Sequence, residues 1–562
     1  MNSLGTYDYV VFLVYFVIVA SYGYWVYHKK KSDAENSKDF FLAKDSLTWW
    51  AIGASLIASN ISAEQFIGMS GSGFTMGLAI ATYEWMAAVT LIIVAVFFIP
   101  VYLKNKIYTM PQFLGQRYNG TVAMIMAIFW LLLYVVVNLT SILYLGALAI
   151  NSVSGINITA CMYILSIFAV LITLGGMKVI GYTDVIQVFF LILGGLATTY
   201  LALQLVSTHF GGSGVVNGLQ LITEKASDHF HMIFKQENPH YMDLPGLTVL
   251  IGGMWIVNLN YWGCNQYITQ RALGADLQTA RSGLLFAAVL KLLMPLIVVV
   301  PGIAAYVLYK EGYGNFQEAM HKGGSLNADS AYPVLLNLLP EGLKGVSFAA
   351  LAAAIVASLA GKANSIATIF TLDVYKKVIN KDADENKQVI IGRITVIVAM
   401  VIAIVIAPHL GMDKKGGFQF IQEYTGFVSP GIFAMFILGF FWKKTTSNAA
   451  LFATIGGFLL SVFFKVLPNF ANLEWLSPYG FSKLVTQEDG RMLYEIPFLD
   501  RMGFVFLISV LVMWVISTIE GRKGANPKGL EIDSSMFKTS NSFAAGALIV
   551  LGIIVALYTV FW

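Results

Sequence analysis

Seven consecutive residues, Ser59-Asn60-Ile61-Ser62-Ala63-Glu64-Gln65, place a polar run inside an otherwise apolar stretch that extends from Trp49 to Gly73. In hydrocarbon, polar side chains and unpaired backbone groups are expensive unless they line a cavity or hold something. An apolar helix interrupted in this way frees carbonyls and amides near its middle. Those groups can coordinate a cation or bond a polar substrate, which is how membrane transporters build midplane sites. The pattern implies transport chemistry, with no covalent step.

Other polar side chains sit inside apolar runs: Glu84, Asp184, Asn258, Asn260, Lys291, Lys362, Gln422 and Glu423. A single Asn or Gln there most often makes a helix-packing hydrogen bond. Glu84 and Lys291 favour a functional reading, because intramembrane charges face a pathway or a partner. Together, Glu, Gln, Asn and Lys offer both donors and acceptors to hydroxyl groups. Tyr83, Trp85, Tyr261, Trp262 and Phe418 supply aromatic rings that could stack on the apolar face of a sugar. A hydrophobic amine would call for more rings and fewer amides; a carboxylate would call for a dominant cation. The inventory favours a polyol or sugar.

Ser358 lies in the run Leu351–Leu359, rich in alanine. Small residues let helices approach closely, and that alone explains the alanines. The serine hydroxyl, beside carbonyls freed by the interrupted helix, could instead join an oxygen-ligand cation site. Sequence leaves both readings open.

The elements that must position these groups are helical. The chain has 562 residues, 57% hydrophobic and 12% charged, which makes it an integral membrane protein. Apolar runs at roughly 7–27, 48–72, 78–103, 123–150, 157–174, 178–205, 246–265, 278–309, 344–378, 387–408, 418–442, 447–467, 501–519 and 540–561 predict about fourteen transmembrane helices. His28-Lys29-Lys30-Lys31 follows the first run and marks that side as cytoplasmic, which puts both termini outside. Lys414 and Lys415, on an external loop in this arrangement, fit least well. Met1–Asp8 has no basic residue ahead of the first apolar run and is not expected to be a cleavable signal peptide. Cys161 and Cys264 give neither a disulfide framework nor metal-ligand spacing. The net charge of +4, spread over loops, suggests no nucleic-acid partner. No nucleophile–base pair, metal cluster, nucleotide motif or signalling domain is visible, so neither an enzyme nor a sensor is expected. Oligomeric state has no signal in the sequence.

Helices two to six and seven to eleven form two sets of five, and an odd number of crossings inverts the second set. This divides the chain into 1–47 (first helix and cytoplasmic linker), 48–205 (repeat one), 206–245 (external loop), 246–442 (repeat two) and 443–562 (C-terminal helices). The counterpart of the interrupted second helix falls at Trp255–Gly263, polar and glycine-flanked. Interruptions at matching places in two halves point to a midplane binding site.

The strings Ala54–Gly73, Tyr83-Glu84-Trp85-Met86, Thr183-Asp184-Val185-Ile186-Gln187, Asn258–Gln266, Ala352–Thr371 and Tyr424–Gly431 closely resemble the sodium/glucose cotransporter (solute:sodium symporter) family, and are most similar to its bacterial sodium/galactose branch. The resemblance runs from the first helix to about residue 470. It implies a fourteen-helix protein with a five-plus-five inverted-repeat core, broken second and seventh helices, and sodium symport of a galactose- or glucose-like monosaccharide across a bacterial inner membrane. It further implies that Gln65, Glu84, Asn258, Lys291 and Gln422 bond sugar hydroxyls, with Asn60 and Tyr83 nearby. Tyr261 would close the sugar from below, and Met69, Tyr83 and Phe418 from outside. The family's Na⁺ site would use the carbonyls of Ala58, Ile61 and Ala354 with the Ser358 hydroxyl.

Two positions and one short stretch depart from the family. Ala87 and Ala357 each stand where a serine is expected, and Gly361-Lys362-Ala363 replaces a small apolar stretch. Lys362 lies four residues after Ser358, on the same helical face, and its stem leans back toward it. Lys362 could snorkel to the interface or have no consequence. Alternatively its ammonium could occupy the cation site, with Asp184 as counter-charge, giving Na⁺-independent uniport or proton-linked transport.

Overall fold

A computed structural model describes residues 4–29, 47–322, 324–409, 417–487 and 489–562. Lys30, Lys31, Lys414 and Lys415, which enter the orientation argument, lie outside the described residues. Among the described residues the chain is helical almost throughout, as backbone groups in hydrocarbon require, with two short antiparallel strand pairs in connecting segments, His321–Lys322 with Ser325–Leu326 and Lys483–Thr486 with Met492–Glu495.

Helices sort into an inner core and an outer shell by what their faces meet. The segment Leu343–Ile379 has 89% of its apolar window buried, whereas Thr6–Val26 has 22% and Asn541–Val560 28%. Alanine-rich Leu343–Thr368 packs most extensively against Gly176–His209, and Leu277–Lys310 lies along Trp49–Asn60. Shell helices turn large apolar side chains outward, among them Leu13, Val405, Leu511 and Leu548, the surface a bilayer would solvate.

Fourteen spans are not established. Among the described residues, ten helices are long and apolar enough to cross a membrane, or eleven if Gly417–Gly426 and Ser429–Phe441 count as one. The difference lies in the interrupted and short helices. Trp49–Asn60 and Gly253–Cys264 have 12 residues each and Ile158–Thr173 has 16, too few to span alone.

The second helix breaks where its polar run predicts. Trp49–Asn60 ends on Ile61 in extended conformation (φ −76°, ψ 115°), and the chain resumes as a π-helical turn, Glu64–Met69, then Ser70–Met76. Gly77, at φ +71°, makes the sharp corner into the next helix, a conformation suited to glycine. Gly68 lets the resumed helix touch backbone at Phe418, where a Cβ would lie 2.7 Å from the Phe418 amide nitrogen.

The break in the second set is displaced from its expected place. Trp255–Gly263 is continuous helix within Gly253–Cys264, because its amides find partners: Asn258 donates to the Met254 carbonyl at 3.2 Å and Asn260 to Ser429 Oγ at 3.1 Å. The interruption is at Asn265 (φ −101°, ψ 123°), after which helix continues over Gln266–Leu273. The expected single helix at 418–442 is bent by 51° between Gly426 and Ser429. Pro430, just inside the second piece, lacks an amide hydrogen and its ring would clash with the carbonyl four residues back.

Arg117, 1% exposed, closes the far end of that bent pair. Its guanidinium donates to the carbonyls of Gly439 (2.7 Å), Trp442 (3.0 Å) and Thr445 (3.1 Å), which cluster around a helix C-terminus. Arg117→Ala should lower stability by about 1.5–3 kcal/mol, the worth of hydrogen bonds to a charged group. A thermal midpoint unchanged in detergent would refute the capping role.

Candidate functional site

Both breaks and the third and eighth helices converge on one buried network. Glu84 is in the first turn of Thr82–Ile93, and Lys291 is midway along Leu277–Lys310. The Lys291 ammonium donates to Glu84 Oε2 at 2.5 Å, with the side chains 1% and 3% exposed. It also donates to Asn60 Oδ1, and lies 5.2 Å from the centre of the Trp262 ring. Asn60, the last residue before the first break, turns its Nδ2 onto the Tyr261 hydroxyl at 2.9 Å. Tyr261 in turn accepts a hydrogen bond from the Tyr267 hydroxyl, across the second break. Four expected site residues, Asn60, Glu84, Lys291 and Tyr261, are thus joined through hydrogen bonds although they are up to 231 positions apart.

On the opposite side Tyr83 meets Phe418 edge to face, centroids 5.0 Å apart, and both are buried. The Tyr83 hydroxyl is buried without a hydrogen-bond partner among the described residues. Met69 is buried at the end of the π-helical turn. Three expected residues stand apart from the network. Gln65 folds back, accepting from the Ser62 amide at 2.9 Å. Asn258 is held by its own helix, and Gln422 is half-buried on Gly417–Gly426. Trp85 meets Tyr558 edge to face rather than joining the cluster.

Backbone at the first break suits a cation. Because the Ser62 amide goes to Gln65, it is not available to the Ala58 carbonyl four residues back. Ser358 Oγ donates to the Ser59 carbonyl at 3.0 Å, which seats Leu343–Thr368 against the break. Ala354, Ala357 and Ser358 are fully buried there, and Ile61 with them.

Charged groups below this point pair differently from expectation. Asp184 is not the counter-charge of Lys362. Its Oδ2 accepts from Ser55 Oγ at 2.5 Å and lies 3.8 Å from the Arg271 guanidinium, whose Nε donates to Ser55 Oγ at 2.8 Å. Lys362 lies 3.9 Å from Glu64 Oε1 and 4.8 Å from the centre of the Tyr267 ring. Helical lean sets the direction of a stem, but the partner is chosen by what the break brings close. Glu64 belongs to the polar run, where the sequence gives it no partner; Tyr267 and Arg271, which join it here, are not singled out by the sequence, because the apolar run ends at residue 265.

Comparison with known proteins agrees with this architecture. A profile described as the Sodium:solute symporter family matches residues 40–457. The chain is 46% identical over 568 aligned positions to a sodium/glucose cotransporter of Vibrio parahaemolyticus, covering 100% of this chain and 99% of that one. It is 33% identical over 484 positions to the human sodium/myo-inositol cotransporter 2, covering 82% of this chain and 70% of the relative. The substrate-bound, outward-open structure of a Na⁺-coupled sialic acid symporter superposes with a TM-score of 0.75 at 21% identity, over 94% of this chain and 100% of the other, and so shares the fold. By the extent of the family match and of these relatives, the chain belongs to the sodium:solute symporter family.

Proposed function

We propose that the protein takes up a monosaccharide, galactose- or glucose-like, by alternating access coupled to Na⁺. The observation that carries this reading is the Glu84–Lys291–Asn60–Tyr261 network, a buried set of donors and acceptors where the two broken helices meet. The unpartnered Tyr83 hydroxyl is a further group free to bond a sugar hydroxyl. Sugar would lie between the Tyr83–Phe418–Met69 lid and Tyr261, with Gln65, Asn258 and Gln422 reorienting onto it. Na⁺, as co-substrate, would bind the carbonyls of Ala58, Ile61 and Ala354 and the Ser358 hydroxyl. The name of the Vibrio relative, a sodium/glucose cotransporter, supports the same substrate pair.

In this reading residues 48–205 and 246–442 are the inverted repeats, both termini are external, and the membrane is a bacterial inner membrane. One Na⁺ moving down ~100 mV supplies ~2.3 kcal/mol, and a tenfold gradient adds about 1.4 kcal/mol. Together they support roughly several-hundred-fold accumulation, beyond the reach of an uncoupled carrier.

The test is uptake of radiolabelled galactose and glucose into proteoliposomes, with and without Na⁺ at fixed pH. Concentrative uptake that needs an inward Na⁺ gradient is expected. Full uptake in choline or potassium buffer would favour the Na⁺-independent alternative, with Lys362 standing in for the ion. Absence of uptake and of exchange for both sugars would overturn the substrate assignment.

A further inference from the structure

Lys362 is one of two intramembrane lysines that the Tyr261 network reaches, and the sugar-site reading gives it no task. Its side chain is 5% exposed, on an alanine-rich helix. Such a cation persists inside a membrane protein only with partners, and the partners here are specific. One is Glu64, the first residue of the π-helical turn after the break. The other is the Tyr267 ring, 4.8 Å from the ammonium. The Tyr267 hydroxyl donates to Tyr261, the residue placed below the sugar. Lys362 therefore touches both sides of the cytoplasmic exit, one contact on the broken helix of each half.

We infer that Lys362 is a positioning residue for the cytoplasmic gate: its ammonium, shared between Glu64 and the Tyr267 ring, pins Tyr267 against Tyr261 and so holds the exit shut. The inference rests on the reading of Tyr261 as the inner gate. Lys362 touches no sugar; it acts through Tyr267. Opening requires the Gln266–Leu273 helix to leave the Glu64 turn, and the ammonium is the group that must give up one contact for it. Methionine at 362 would fill the space without that attraction. Arginine would keep it, since a guanidinium also stacks on aromatic rings and pairs with carboxylates.

Two readouts test this, one of them independent of sugar. In a Cys161→Ser/Cys264→Ser background, Ala87→Cys, buried one turn from Glu84 on Thr82–Ile93, reports access to an impermeant thiol reagent applied to the cytoplasmic face of inside-out vesicles. Lys362→Met should raise the labelling rate about tenfold, between the worth of an exposed and of a fully desolvated cation–π contact. Tyr267→Phe, which keeps the ring and loses the link to Tyr261, should do the same, and Lys362→Arg should restore slow labelling. In proteoliposomes Lys362→Met should leave KM for external sugar within about twofold while steady-state accumulation falls about tenfold through leak. Labelling at the parent rate in both Lys362→Met and Tyr267→Phe would overturn the gate assignment. So would a Lys362→Met variant that accumulates sugar normally but changes its Na⁺ dependence. If the parent protein moves neither sugar, only the substrate reading fails, and the labelling result still decides for or against Lys362.

Discussion

Glu84→Ala should reduce sugar binding or uptake by at least about 100-fold, the largest loss expected from any pocket substitution. The magnitude follows from what is left behind. Lys291 is 1% exposed, and Glu84 is its carboxylate partner at 2.5 Å; its other contacts are the Asn60 amide oxygen and the Trp262 ring. Breaking a buried ion pair by removing one member costs about 3–5 kcal/mol because the other charge stays uncompensated. That is roughly 150- to 5,000-fold if it falls on binding. It can fall on folding instead, and the two outcomes separate experimentally. Replacing both members by neutral groups of similar volume, Glu84→Gln with Lys291→Met, removes the stranded charge. This double variant should recover the thermal midpoint of the parent protein and still fail to bind sugar. Equilibrium binding of labelled galactose and thermal unfolding in the same detergent provide both numbers. Near-normal affinity in Glu84→Ala would remove the proposed pocket.

Legibility of such a site depends on how its groups are satisfied. The Ser59–Gln65 run was readable because its polarity has no lipid-compatible explanation, and the helix does stop at Ile61. Asn258 and Asn260 carry a similar surface signal with the opposite outcome. Their Nδ2 groups are met by the Met254 carbonyl and Ser429 Oγ, and the helix passes through them and breaks at Asn265. Polarity in one dimension reports demand for hydrogen bonds, and only the packed structure reports supply. Arg271 illustrates the complementary failure. Following Asn265 and Gln266, it reads as the start of a solvated loop, yet the structure buries it at 1% exposure. Likewise 418–442 reads as one helix although it contains Pro430, because proline in a membrane helix is compatible with a kink or with none. Ionic partners are the least legible feature. On the sequence Lys362 is matched with Asp184, whereas the structure puts it beside Glu64, and sequence separation carries no information about which is near.

Arg271→Ala is the second substitution expected to have a large effect, this time on the fold itself. The guanidinium sits where three elements meet: its own helix Gln266–Leu273, the broken helix Trp49–Asn60 through Ser55, and Gly176–His209 through Asp184. Nε donates to Ser55 Oγ at 2.8 Å, Ser55 donates onward to Asp184 Oδ2 at 2.5 Å, and Nη1 reaches the Tyr267 carbonyl. Truncation would leave a carboxylate 1% exposed, with a single hydroxyl donor, at a cost of about 3–5 kcal/mol. It would also release the helix that carries Tyr267. Asp184→Asn alone should be nearly as harmful, since it strands the guanidinium instead. Neutralising both with Arg271→Met and Asp184→Asn should be milder than either single change, because well-packed neutral groups escape the desolvation that burdens an ion pair. A double-mutant cycle on thermal stability therefore predicts strong coupling, with the double variant more stable than the sum of its parts allows. Additive losses would mean that the two groups act separately, and that the 3.8 Å contact between them holds nothing in place. Strong coupling would mean that one buried charge pair fixes the broken helix of the first half against the continuation of the broken helix of the second. Trp49–Asn60 and Gln266–Leu273 would then move as one unit, while the Glu64–Met69 turn beyond the first break stays free to part from them.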